Sequence, residues 1–89
     1  MKFEWDPRKA AANLRKHSVT FDEAMTVFSD WESVTIPDPD HSEGEARYLI
    51  LGRSSRGRVL VVSHTERGEN IRIISARGSD ARERRKYGK

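Results

Sequence analysis

Three β-branched and leucine-rich runs, Arg47–Arg53, Arg58–Thr65 and Asn70–Arg77, constrain this chain more than any other feature. Two short turn signals separate them, Ser54-Ser55-Arg56-Gly57 and Glu66-Arg67-Gly68-Glu69. Links this short join antiparallel neighbours, so the runs read as a β-meander. Val59 to Val62 is apolar at every position, which makes the middle run a central strand that needs cover on both faces. Tyr48, Ile50, Ile74 and Ala76 alternate with Leu49, Leu51, Ile71 and Ile73, and carry the same demand.

Helical signals precede the meander. Asp6-Pro7 is an N-cap followed by proline at the first helical position, and Ala10, Leu14 and His17 then share one helical face. That helix should end near His17-Ser18. Thr20-Phe21-Asp22-Glu23 has the spacing of a capping box, and Phe21, Ala24, Val27 and Phe28 supply the apolar stripe of a second helix. Val34-Thr35-Ile36 reads as a short strand stopped by Pro37 and Pro39, and Asp38 to Gly44 as a polar loop. Lys2 to Trp5 offers a further edge strand. Ser79 or Asp80 can cap a short arginine-rich helix through Tyr87, with Glu83 closing an Asp-x-x-Glu box. The expected fold is α+β: two N-terminal helices packed on an antiparallel β-meander of three to five strands, with a short C-terminal helix. No repeat, linker or low-complexity segment divides the chain, so residues 1–89 are expected to form one domain. Three short helices hide one sheet face and leave the other partly apolar, which marks a partner surface unless the C-terminal helix covers it.

Charge is distributed unevenly along the chain. Residues 1–45 carry 5 Lys/Arg against 10 Asp/Glu, whereas residues 46–89 carry 12 against 4. Most cations of the second half are arginine, whose planar fork suits bidentate phosphate contacts, so one surface should attract a polyanion. The absence of cysteine excludes thiolate-zinc and cysteine-nucleophile chemistry and fits a reducing, cytoplasmic setting. No signal peptide is visible, and the apolar runs are too short to span a bilayer.

A symmetric Ser54–Gly57 turn sets Arg53 opposite Arg58 and Arg47 opposite His64. The simplest second hairpin then sets His64 opposite Ile71 and Arg58 opposite Arg77. Arg53, Arg58 and Arg77 would cluster at one end of a sheet face, with Arg47 and His64 at the other, and Arg72 and Tyr48 on the reverse. A one-residue slip inverts such an assignment. The three histidines, His17, His41 and His64, have no paired spacing for a metal, so no metal site is expected. His17, at a helix end, suits a dipole contact, while His64 beside Glu66 is the better proton-transfer candidate.

The motifs taken together have a family likeness. Phe3-Glu4-Trp5-Asp6-Pro7, Asn13-Leu14-Arg15-Lys16-His17 and Thr20-Phe21-Asp22-Glu23-Ala24 resemble the opening of BrnT-type toxins. Gly52-Arg53-Ser54, the run Ile71 to Arg77, and Arg82-Glu83-Arg84-Arg85 with Tyr87 resemble the rest, in the same order. The chain departs from that pattern at Ser18, where glycine is usual, and at Gly78-Ser79-Asp80, where a basic residue and Ala-Thr are usual.

The resemblance implies a RelE-like fold and mRNA cleavage without metal or cofactor. It implies inhibition by a BrnA-type antitoxin, an antitoxin-borne link to operator DNA, and a heterotetramer of the pair. Cleavage of this kind needs a base for the 2′-hydroxyl, cations for the pentavalent phosphate and an acid for the leaving oxygen. His64 and Glu66 are the expected proton carriers, with Arg47, Arg72 and Arg77 on the phosphate. Arg53, Arg58, Lys16 and His17 are the expected RNA-binding residues. A non-catalytic RNA- or protein-binding module is the competing expectation; Tyr48 alone among the three strands offers an aromatic ring for base stacking.

Overall fold

The computed structural model describes residues 1–42 and 44–87 of the chain. Five strands, β1 (Lys2–Glu4), β2 (Val34–Pro37), β3 (Arg47–Arg53), β4 (Val59–Arg67) and β5 (Asn70–Gly78), form one sheet in the order β1-β5-β4-β3-β2. β2 to β5 are antiparallel neighbours and β4 is central, as its unbroken apolar run requires. β1 joins β5 in parallel, so the sheet is mixed, and the expectation of a purely antiparallel meander is corrected. No tight turn links β1 to β5, so hairpin geometry does not dictate their direction. Phe3 pairs with Ile71, and its ring meets that of Phe28 edge-on at 5.1 Å.

The helices are α1 (Pro7–His17), α2 (Phe21–Thr26) and α3 (Ala81–Lys86), and a 3-10 turn over Val27–Ser29 prolongs α2. Asp6 caps α1 by accepting from the Arg8 amide at 2.8 Å. Ser18 ends it in the left-handed region at φ 58°, where glycine avoids the steric cost. Thr20 caps α2 through the Glu23 amide, but the Glu23 carboxylate does not complete the expected box. It is drawn instead to Arg58 and Ser54. Asp80 and Glu83 do form the full reciprocal box at the start of α3.

The core lies between the helices and one sheet face. Val19, Phe21, Ala24 and Val27 pack on Ile50, Leu60, Val62, Ile73 and Ala76. Gly52 permits this approach, because a Cβ there would stand 2.9 Å from Val27 Cγ1. The buried position of α1 is Asn13 rather than the expected Leu14, which is half exposed. Asn13 donates from Nδ2 to the Ala76 carbonyl at 2.8 Å and accepts the Ala76 amide at 3.0 Å. It thereby satisfies the part of β5 that β1 is too short to reach.

Both expected hairpin registers are corrected. Arg53 pairs with Val59 and Arg47 with Thr65, because the Ser54 amide bonds the Arg58 carbonyl while Gly57 sits at φ 82°. That bulge inserts one residue on the β4 side and turns Arg58 and His64 to the helix face. In the next hairpin His64 pairs with Ile73 rather than Ile71, and Val61 rather than Arg58 pairs with Arg77. A second bulge breaks the ladder at Ser63/His64 and leaves Ile74 unpaired. Arg72 and Arg77, an odd number of residues apart, therefore share the face opposite the core.

Candidate active site

The face away from α1 and α2 carries Arg47, Leu49, Leu51 and Arg53 from β3, Val61, Ser63 and Thr65 from β4, and Arg72, Ser75 and Arg77 from β5. α3 crosses one end of it, so the C-terminal helix does cover part of this surface. Arg77 donates from both terminal nitrogens to Glu83 of α3, at 2.9 and 2.8 Å. Arg53 lies 5.5 Å from the centre of the Tyr87 ring, and the Tyr87 hydroxyl donates to Asp30. Val61 is buried beneath this end.

Beyond α3 the face opens into a shallow hollow lined by Asp38, His41, Arg47, Leu49, Ser63, Ile74, Ser75 and Arg77. Its rim is the loop after β2. Pro37 and Pro39 force that loop to leave the sheet, and Pro39–His41 close a 3-10 turn. The turn is tied to β3 on both sides. The Asp38 amide donates to the Arg47 carbonyl at 2.8 Å, and the Arg47 amide donates to Ser42 Oγ at 3.0 Å. His41 Nδ1 lies 2.9 Å from Asp38 Oδ2; the carboxylate is largely buried and the imidazole two-thirds exposed. Glu43, inside the expected polar loop, lies outside the described residues.

Arg47 makes no ion pair among the described residues. Arg77 is held by Glu83, which raises its pKa above the ordinary value, while Arg77 pulls the Glu83 carboxyl down to about 2. A second hollow, lined by Lys9, Asn13, Lys16 and His17 of α1, shares Ile74 and Ser75 with the first. The bulged residue thus joins a guanidinium pair to the basic end of α1.

The other expected site residues lie elsewhere. His64 is buried on the helix face, 4.8 Å edge-on from Phe28 and beside Tyr48. Burial pushes its pKa below the ordinary value, against opposing contributions from the Val62 carbonyl and Glu66. A neutral core imidazole does not reach the open face, which corrects its expected place beside Arg47. Glu66 is exposed on the strand positions in line with His64 and does not line the hollow. Arg72 is on the open face but pairs with Glu4 at 2.8 Å. Arg58 binds the buried carboxylate of Glu23, Nε to Oε2 at 3.0 Å, and the Ser18 carbonyl at 3.2 Å. Arg53 is engaged by Gly57 and Tyr87.

Neither Asp38 nor His41 is among the site residues expected from the sequence. Their signal is there in Asp-Pro-Asp-His: an i, i+3 acid and imidazole made local by a proline turn. The guanidinium of Arg47 can hold a phosphodiester beside an oriented imidazole that exchanges a proton with a nearby hydroxyl, while Arg77, engaged by Glu83, adds to the lining of the same hollow. Among the described residues no group of three or more His, Cys, Asp or Glu side chains converges as metal ligands, and no helix is long and apolar enough to cross a membrane.

Residues 5–83 match the protein family described as "Ribonuclease toxin, BrnT, of type II toxin-antitoxin system". The crystal structure of the Brucella abortus ribonuclease toxin BrnT is similar in fold, with a TM-score of 0.71 and 22% identity. That likeness covers 90% of this chain and 97% of the Brucella one. Comparison with curated proteins returns no match.

Proposed function

This chain belongs to the BrnT family of ribonuclease toxins of type II toxin–antitoxin systems, and from that premise we propose that it cleaves mRNA on its open sheet face. The observation that carries this reading is the open-face hollow that Arg47 and Arg77 both line, beside the bulged residue Ile74. The Arg47 guanidinium stabilises the extra negative charge of a pentavalent phosphate, and Arg77 joins it by exchanging Glu83 for the phosphate. Lys16 and His17 of α1, in the hollow that meets this one at Ile74 and Ser75, continue the cationic track around the edge of β5 that β1 leaves uncovered. Arg72 lies on the open face in the row of Arg47. The nucleophile is the neighbouring 2′-hydroxyl, so RNA is cut and DNA is not. The charge stabilisation comes from side chains, which supports cleavage without a metal ion or other cofactor.

The whole chain acts as one RelE-like toxin domain in the cytoplasm. Its partner is a BrnA-type antitoxin that occludes the open face, forms a heterotetramer with the toxin and carries the contact with operator DNA. Leu49, Leu51, Val34 and Ile36 give that partner an apolar surface beside the arginines.

Induced expression in bacteria, with and without the antitoxin gene, tests this reading. The expected result is growth arrest with mRNA fragmentation, relieved by the antitoxin. Normal growth and intact RNA despite accumulation of folded protein would contradict it.

A further inference from the structure

We infer that His41 is the proton-transferring residue of this site and that Asp38 is its positioning residue. The inference rests on the ribonuclease reading and assigns the one role that the arginines cannot fill. A base must take a proton from the 2′-hydroxyl close to neutral pH, and guanidinium groups remain protonated throughout. Of the histidines, His64 is enclosed in the core and His17 lies at the end of α1. His41 alone lines the hollow that also holds Arg47 and Arg77.

The surrounding geometry is that of an oriented base. Asp38 Oδ2 stands 2.9 Å from Nδ1 of His41, so the carboxylate fixes that nitrogen as the N–H donor and leaves Nε2 as the lone-pair nitrogen. Asp38 is itself held. Its backbone carbonyl accepts from Ser42 Oγ at 2.7 Å, its amide donates to Arg47, and Ser42 Oγ accepts from the Arg47 amide. The imidazole and the Arg47 strand are therefore parts of one hydrogen-bonded unit, and the spacing between base and phosphate site is built into the backbone.

The step balances as follows. His41 Nε2 takes the 2′-hydroxyl proton, the 2′-oxygen forms a bond to the adjacent phosphorus, and the bond from phosphorus to the 5′-oxygen breaks. The departing 5′-oxygen takes a proton from solvent water, and the imidazolium returns its proton to the hydroxide so formed. The products are a 2′,3′-cyclic phosphate and a 5′-hydroxyl end, with no change of oxidation state.

The test measures cleavage of an end-labelled oligoribonucleotide by the full-length protein and by His41→Ala, His41→Gln and Asp38→Asn, with product ends identified. The parent should leave 2′,3′-cyclic phosphates. Both His41 variants should lose about 10²–10⁴-fold in kcat while far-UV circular dichroism and Tm remain those of the parent. The fall of kcat at low pH seen with the parent should be absent from their profiles. Asp38→Asn should lower kcat by a smaller factor without raising KM, as loss of orientation alone requires. Folded His41 variants that cut at the parental rate would overturn the inference and leave the ribonuclease reading standing. A parent that cuts no RNA, free or in a translating extract, would overturn both.

Discussion

Asn13 and Ala76, on α1 and β5, exchange two hydrogen bonds: the Asn13 side-chain amide serves the strand's N–H and C=O as a neighbouring strand would. The same Nδ2 also donates to the Val19 carbonyl at 3.0 Å, where the chain turns from α1 into α2. One buried polar side chain thus joins three segments. Asn13→Ala should cost about 2–4 kcal/mol, because it strands buried backbone groups as well as removing bonds. Chemical denaturation checks this, and Asn13→Leu should do no better despite adding apolar volume.

Ser18 occupies the left-handed position that ends α1. Ser18→Gly should raise Tm by a few degrees, since a non-glycine residue there costs about 1 kcal/mol and a domain of this size shifts about 4–8 °C per kcal/mol. Calorimetry measures it directly; an unchanged or lower Tm would mean that the Ser18 side chain contributes more than its backbone costs.

Arg58 and Arg47 should separate stability from activity. Arg58 neutralises Glu23, whose side chain is only 4% exposed, so Arg58→Ala leaves a buried carboxylate with Ser54 and a distant Arg56. A loss of about 2 kcal/mol is expected, less than for a fully buried pair because 40% of the Arg58 side chain is exposed. Arg47→Ala should leave Tm unchanged and lower RNA cleavage about 100-fold. Melting curves and cleavage rates on the two purified variants decide the matter.

Glu83 makes stability fall in acid. Arg77 holds its carboxyl at about 2, below the ordinary 4.5. A carboxyl depressed in the folded state stabilises the fold above its unfolded value and loses that contribution as pH falls through the folded one. The difference in denaturation midpoint between the parent and Glu83→Gln should therefore be full at pH 6 and shrink between about 4.5 and about 2.

Much of the fold is legible because its determinants are local. The boundaries of β3 follow from its apolar run Tyr48 to Leu51 closed by the turn signal at Ser54, α1 begins where Asp6-Pro7 demands, and the Asp80–Glu83 box forms as spaced. What was hidden is set by contacts across the chain. Glu23 has capping-box spacing, yet an arginine 35 residues away claims its carboxylate. Asn13 reads as a surface position on an α1 face whose expected apolar residue, Leu14, is half exposed. The parallel pairing of β1 has no turn to announce it.

The site was harder to read because it depends on two bulges. The Gly57 bulge turns Arg58 and His64 toward the core, and the Ile74 bulge brings Arg72 and Arg77 to the face of Arg47. Each is a one-residue event, and one residue decides which face of a strand a side chain takes. Residue chemistry alone favoured His64 over His41, since only burial distinguishes a core imidazole from an available one.

Cleavage of a defined RNA and its DNA counterpart by the purified chain, in the presence of a chelator and beside Arg47→Ala, tests the central claim most directly. The account predicts cut RNA, intact DNA, and a rate about 100-fold lower for the folded variant. RNA left intact, or cut as fast by Arg47→Ala as by the parent, would contradict it.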